Sequence, residues 1–103
     1  MFDLAQLRCF TALATELNFR RAAERLHMTQ PPLSRQIQLL EHQLGVVLFT
    51  RSTRTVALTA AGRAFFVEAQ ALLDQAHRAA RTARLIALGE SGTVSIGFVA
   101  SAV

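Results

Sequence analysis

At 103 residues, half of them hydrophobic, the chain has room for one small domain and an extra element, and a domain of this size often leans on a partner copy. Its formal charge is +4 and all 11 basic residues are arginine, which fits a nucleic-acid footprint and favours forked contacts to guanine or phosphate. A single cysteine, Cys9, excludes an internal disulfide and a cysteine-cluster metal site, and with neither a signal sequence nor a bilayer-length apolar run the expected location is the cytoplasm.

The first helix is expected to open at Asp3. Asp3 and Gln6 have the spacing of a capping box, and Phe2 and Leu7 that of a hydrophobic staple. Leu4, Leu7, Phe10, Leu13 and Leu17 recur at helical spacing and mark a core-facing stripe. Cys9 reads as a small buried hydrophobe in the same helix. Asn18 caps a short second helix from Phe19 to Leu26, whose inward residues are Ala22, Ala23 and Leu26. Small alanines let two helices cross closely. His27-Met28 makes a tight connection, and Thr29 is expected to cap the third helix by accepting from an orphan N–H. Short helix, short turn and second helix form a helix-turn-helix.

Pro31 and Pro32 fall in the first turn of the third helix, where a missing N–H costs nothing and φ is already helical. Leu33, Ile37, Leu40 and Leu44 make one apolar stripe, and Gln30, Ser34, Arg35 and Gln38 lie off it. Gln suits adenine, Arg suits guanine, and Ser suits a base or a phosphate. Ser34 could instead satisfy local backbone. The prolines are chiefly structural, with packing on a thymine methyl as a secondary role. This is the pattern of a helix built to enter a DNA major groove.

Gly45 closes that helix. Val46-Val47-Leu48-Phe49 has strand character, Thr50 to Thr55 forms a polar turn, and Val56-Ala57-Leu58 reads as the return strand. Two short strands behind a helix-turn-helix make a wing. Its Arg54 suits a minor-groove or phosphate contact, whereas Arg51 either meets DNA or holds the base of the wing against an acid.

Thr59 caps the longest helix, Ala60 to Leu88. A heptad seam runs through Phe65, Ala69, Leu72, Ala76, Ala79, Ala83 and Ile86, widened by Phe66, Leu73 and Ala80. A helix beyond about 25 residues is too long for so small a body to cover. The Phe65 end is expected to pack at home, and the seam beyond it to pair with a second copy. Gly89-Glu90-Ser91-Gly92 reads as a break, and Val94, Ile96 and Phe98 alternate as in a strand. A lone strand is not stable, so the chain reads as one that stops just inside a further domain. The expected division is 1–59 for the winged helix-turn-helix, 60–88 for the dimerisation helix, and 89–103 for the hinge and first strand.

His27, His42 and His77 have no partners at metal-ligand spacing. Phosphate-cradling glycines, a nucleophile elbow and paired carboxylates are all absent from the sequence. Neither catalysis, a metal nor a cofactor is expected.

Taken together, Leu7 to Phe10, Asn18 to His27, Thr29 to Ile37, Leu40-Glu41, Leu44-Gly45, Leu48 to Arg51 and Leu58 to Gly62 closely resemble the N-terminal DNA-binding region of LysR-type transcriptional regulators. The resemblance covers residues 1 to 89, and Gly92 to Phe98 resembles the first strand of the family's effector-binding domain. It implies a mainly α fold, a winged helix-turn-helix followed by a long dimerising linker helix. It also implies that Thr29, Gln30, Pro31, Pro32, Ser34, Arg35 and Gln38 front the recognition helix, with Arg51 near the DNA backbone and Arg54 at the wing tip. The implied partners are double-stranded DNA, as an interrupted inverted repeat near a promoter, and a second copy of the chain. A tetramer is implied for the full-length protein, with RNA polymerase as a candidate further partner. The inducer pocket of the family lies in the domain beyond this chain. One departure is Arg20, where many relatives carry a small hydroxyl residue: it either reaches a phosphate or pairs with Glu24 at i, i+4. The rival reading is a winged helix kept only as an interaction scaffold. Loss of DNA binding should erode Gln30, Ser34, Arg35 and Arg54 first, and all four are present.

Overall fold

The computed structural model describes residues 1–90. In chain order it forms α1 (Leu4–Glu16), α2 (Phe19–Arg25), α3 (Gln30–Leu44), β1 (Phe49–Arg51), β2 (Val56–Leu58) and α4 (Ala60–Glu90). The expected residues at 91–103, including the strand at Val94, Ile96 and Phe98, lie outside the described ones. A first compact unit runs from Met1 to Leu73 and a second begins at Asp74.

Local chemistry sets the helix ends. The Asp3 carboxylate accepts from the Gln6 N–H at 2.8 Å, and the Gln6 side chain accepts from the Asp3 N–H at 2.8 Å. These two bonds satisfy orphan donors reciprocally. Asn18 Oδ1 accepts from the Arg21 N–H at 2.8 Å and opens α2 in the same way. That helix ends in a Schellman turn: the Met28 N–H reaches the Ala23 carbonyl at 2.9 Å and the His27 N–H the Glu24 carbonyl at 3.1 Å. His27 takes the left-handed conformation, φ 56°, a position glycine usually fills. Gly45, φ 71°, closes α3 with the same pair of bonds, from its own N–H and that of Val46.

Thr29 is the N-cap residue of α3, but its side chain makes no cap bond. The cause is in the sequence. A capping hydroxyl serves the second or third helical N–H, and those positions are Pro31 and Pro32, which have none.

The core sits where α1, α2 and α3 meet. Leu7, Phe10, Leu13, Leu33, Ile37, Leu40 and Leu48 are fully buried, with Ala22 and Ala23 at the close approach of α2. Two residues depart from the expected stripe: Leu4, in the first helical position, is exposed, and so is Leu17. Leu17 ends α1 with φ 50°, and that left-handed turn swings it outward to 42% exposure. Phe10 is the hub, its ring 5.1 Å from Phe65 and 5.5 Å from Phe49, while Phe2 meets Phe65 edge-on at 5.6 Å. Such tilted and edge contacts suit the ring quadrupoles. The Gln6 amide crosses from α1 to Gln43 on α3 at 2.9 Å.

The wing pairs Phe49 with Leu58, Thr50 with Ala57 and Arg51 with Val56, antiparallel. Its first strand starts at Phe49 and not at Val46. The Val46 N–H is committed to the turn that closes α3, and Glu41 Oε2 takes the N–H groups of Leu48 and Phe49 at 2.8 and 3.2 Å, so the approach to the strand is tied to α3. Val46 and Val47 are left exposed. Thr59 then locks the wing to α4: its hydroxyl accepts from the Gly62 N–H at 2.9 Å and donates to the Val47 carbonyl at 2.7 Å. Its own N–H donates to the Leu48 carbonyl at 3.0 Å. A Cβ at Gly62 would stand 2.1 Å from that carbonyl oxygen, so only glycine allows this approach.

Within the first unit, Phe65, Phe66, Ala69 and Leu73 face the core. Gly89 and Glu90, expected to break the helix, instead form its last turn. One glycine costs a helix only about 1 kcal/mol, too little to stop it alone. Among the described residues, no helix is long and apolar enough to cross a membrane.

Candidate nucleic-acid interface

The front of α3 is rigid by construction. Two prolines fix its first turn, and Leu33, Ile37 and Leu40, all fully buried, pin one face to the core. With three anchors inward, Gln30, Pro31, Arg35 and Gln38 are exposed, and Pro32 and Ser34 are half-buried. Thr29, its hydroxyl unused by the cap, stands exposed just ahead of them. Arg35 is exposed, and among the described residues no hydrogen bond or ion pair engages its guanidinium.

Two hollows flank the Gln30–Pro31 ridge. One, of about 350 Å³, is lined by Phe19 from α2, by Gln30, Pro31 and Ser34 from α3, and by Arg51 from β1. The other, of about 280 Å³, is lined by Arg20, Ala23, Glu24, Met28 and Thr29 together with the same ridge. The sequence-expected residues Gln30, Pro31, Ser34 and Arg51 thus meet in one groove, and Arg20 and Thr29 join the ridge from the other side. Gln38 lies farther along the same exposed face of α3. Arg54 stands at the wing tip, where Ser52 and Thr55 tie the turn together through their hydroxyls at 2.7 Å.

Arg20 pairs with Glu24 at 3.4 Å, both side chains being about two-thirds exposed at 65% and 64%. A pair that open contributes little and leaves the guanidinium able to exchange partners. Arg51 is held more firmly. Its Nη2 lies 3.3 Å from Glu41 Oε1, with side chains 31% and 17% exposed, and its guanidinium sits 5.3 Å above the Phe19 ring. The acid at the base of the wing is therefore Glu41.

Glu41 and Phe19 are the residues that the sequence alone left without a role. A clue was available for Glu41. An acid in the last turn of a helix faces the negative end of the macrodipole, so it needs partners elsewhere, and here it has three.

The seam on α4 is divided. Phe65 packs on Phe2 and Phe10, and Ala69 is fully buried in its own core, so these two are inner contacts and not part of an outward face. Leu72 is 44% exposed. In the second unit, Ala79 and Ala83 are exposed, and Ala76 and Ile86 are half-buried. Cys9 is buried, and burial pushes its thiol pKa up, which keeps it neutral. Among the described residues, no group of His, Cys, Asp and Glu is placed to hold a metal ion.

Residues 4–63 match the family model described as bacterial regulatory helix-turn-helix protein, lysR family. The chain is 50% identical over 99 residues to a probable cat1 operon transcriptional activator of Acinetobacter lwoffii, covering 96% of this chain and 33% of that protein. It is 52% identical over 100 residues to the Hca operon transcriptional activator HcaR of Escherichia coli (strain K12), covering 97% and 33%. It therefore spans about a third of the length of the curated relatives it matches. Among solved structures, it is similar to the CbnR DNA-binding domain in complex with DNA. The TM-score is 0.80 at 46% identity, covering 84% of this chain and 99% of that one.

Proposed function

The chain belongs to the LysR family of bacterial helix-turn-helix regulators, and from that premise we propose that it reads double-stranded DNA as a homodimer, within a regulator whose inducer-sensing domain lies beyond these residues. The observation that carries the proposal is the front of α3. Gln30 and Arg35 are exposed and Ser34 is half-buried at a proline-stiffened helix start, and Gln30 and Ser34 share a groove with the wing residue Arg51. A rigid helix start loses little freedom on docking, so its contacts are not spent on ordering the reader.

In this reading Arg35 forks onto a guanine, Gln30 onto an adenine, and Ser34 and Gln38 complete the row. Pro31 and Pro32 set the approach, and Thr29 adds a hydroxyl. Arg20, Arg51 and Arg54 supply cations to the backbone or, from the wing tip, to the minor groove. Phosphate contacts give affinity and register, and base contacts give specificity.

The second copy packs along α4, on Leu72 in the first unit and on Ala76, Ala79, Ala83 and Ile86 in the second. Two copies then present two recognition helices, and the site is an interrupted inverted repeat near a promoter. The whole regulator works in the cytoplasm, as a tetramer, with RNA polymerase as a further partner and no catalytic step.

In-vitro selection of random duplexes on the purified chain tests this. Enrichment of an inverted repeat, with half-sites in successive major grooves, is the expected result. Enrichment without a motif, but with steep salt dependence, would limit the chain to nonspecific binding. No binding at all would sink the proposal and leave the scaffold reading.

A further inference from the structure

The groove beside Gln30 contains a cation that is already fixed before any ligand arrives. Glu41 spends its carboxylate in two directions. Oε2 accepts from the Leu48 and Phe49 N–H groups at 2.8 and 3.2 Å, fastening the start of the wing to α3. Oε1 faces Arg51 Nη2 at 3.3 Å. With the Phe19 ring below it at 5.3 Å, the Arg51 guanidinium is held on a face and on an edge. A guanidinium has five N–H donors, so one contact to Glu41 leaves most of the fork for another acceptor.

Given the DNA-binding reading above, on which this inference rests, we propose that Glu41 is a positioning residue that presents Arg51 to a single backbone phosphate in the groove of Phe19, Gln30, Pro31 and Ser34. The chemistry of the lining favours a sugar–phosphate unit over a base edge. Phe19 and Pro31 supply apolar walls suited to a deoxyribose. Gln30 and Ser34 supply neutral hydrogen-bonding groups, and Arg51 supplies the one cation, braced and inset. A base-reading arginine has to stand clear of its own fold, and Arg35 is exposed on the outer face of α3. A phosphate-binding arginine gains from being held still, because a charge-assisted contact depends on geometry. The same carboxylate bolts the wing to the recognition helix, so register along the backbone and entry into the groove are set by one residue.

The test uses the selected duplex with single methylphosphonates, which are uncharged, walked along each strand. In the parent, one position per half-site is expected to cost about tenfold in affinity when neutralised, the scale of one charge-assisted contact. That cost should vanish in Arg51→Ala, while the costs at other positions stay. Glu41→Gln separates the two duties of the carboxylate: its carbonyl can still accept from Leu48 and Phe49, while its amide no longer attracts Arg51. It should keep the parent's thermal midpoint and wing amide protection, yet lose the same methylphosphonate penalty. If the penalty persists in either variant, or if both variants weaken every position evenly as a merely structural brace would, the inference is overturned. Should selection return no motif, the salt slope on random duplex is the readout; both variants should lower it by about one, and an unchanged slope overturns the inference. A parent chain that binds no duplex would overturn the DNA reading itself, a result visible before any variant is made.

Discussion

Replacing Gly62 by alanine tests the junction between wing and linker helix. The added Cβ would lie 2.1 Å from the Leu48 carbonyl oxygen and 2.9 Å from a Leu58 methyl, where ordinary contact begins at 3.4 Å. Relief requires more than an ångström of separation between α4 and the residue before β1. The same oxygen accepts from the Thr59 N–H at 3.0 Å and the Thr59 hydroxyl at 3.2 Å, so the movement also loosens those bonds. Overpacking of this kind costs about 1–3 kcal/mol, and each lost hydrogen bond about 1 kcal/mol. Alanine returns about 1 kcal/mol through helix propensity. The net expectation is a loss of about 2–4 kcal/mol, which in a domain of this size lowers the melting midpoint by at least ~8 °C. Thermal and urea unfolding followed by circular dichroism read it directly. Gly45→Ala is the matched control, with open space around it but φ +71°; it should cost only the ~1–2 kcal/mol of a left-handed alanine. A Gly62→Ala protein as stable as its parent would refute the argument from close approach.

Other expectations follow from single residues. Arg35→Ala should cost about 1–3 kcal/mol on the selected duplex and relax one base position; equal affinity of both proteins for every sequence would remove its reading role. His27→Gly should raise stability by up to about 1 kcal/mol, because glycine accepts φ 56° without a Cβ penalty; a lower midpoint would mean that the imidazole does unrecognised work there. Cys9 should resist iodoacetamide in the folded protein and react on unfolding, as judged by mass spectrometry. Its raised folded pKa means that stability is full below the ordinary thiol value of 9.0 and falls as pH rises past it, when only the unfolded thiol ionises readily. Cys9→Ala should flatten that alkaline decline in urea midpoints, and an unchanged slope would assign the decline to other groups.

What could be read from sequence was what local spacing controls. The Asp3–Gln6 box, the Asn18 cap, the Gly45 stop and the Leu33–Ile37–Leu40 stripe each depend on residues within a turn or two, and each stands in the structure. The outward set on α3 was legible for the same reason, since fixing the buried face fixes its opposite. Long-range chemistry was not legible. Nothing near Val46 announces that Glu41 will capture the amides of Leu48 and Phe49 and delay the strand. The stacking of Arg51 on Phe19 joins residues from two elements that no periodicity connects. Thr29 is a different case: a hydroxyl at that position suggests a cap, but the prolines that follow lack the N–H groups it would serve.

That idle hydroxyl has a consequence for how such a reader changes over time. At most helix starts the N-cap is constrained, because swapping Ser, Thr, Asn or Asp for alanine costs about 1 kcal/mol of stability. Pro31 and Pro32 lift the constraint by removing the donors the cap would serve. Position 29 is then open to substitution without a toll on folding, at the very edge of the ridge that Gln30 and Pro31 form. The surface beside that ridge can therefore change its chemistry while the scaffold stays as stable as before.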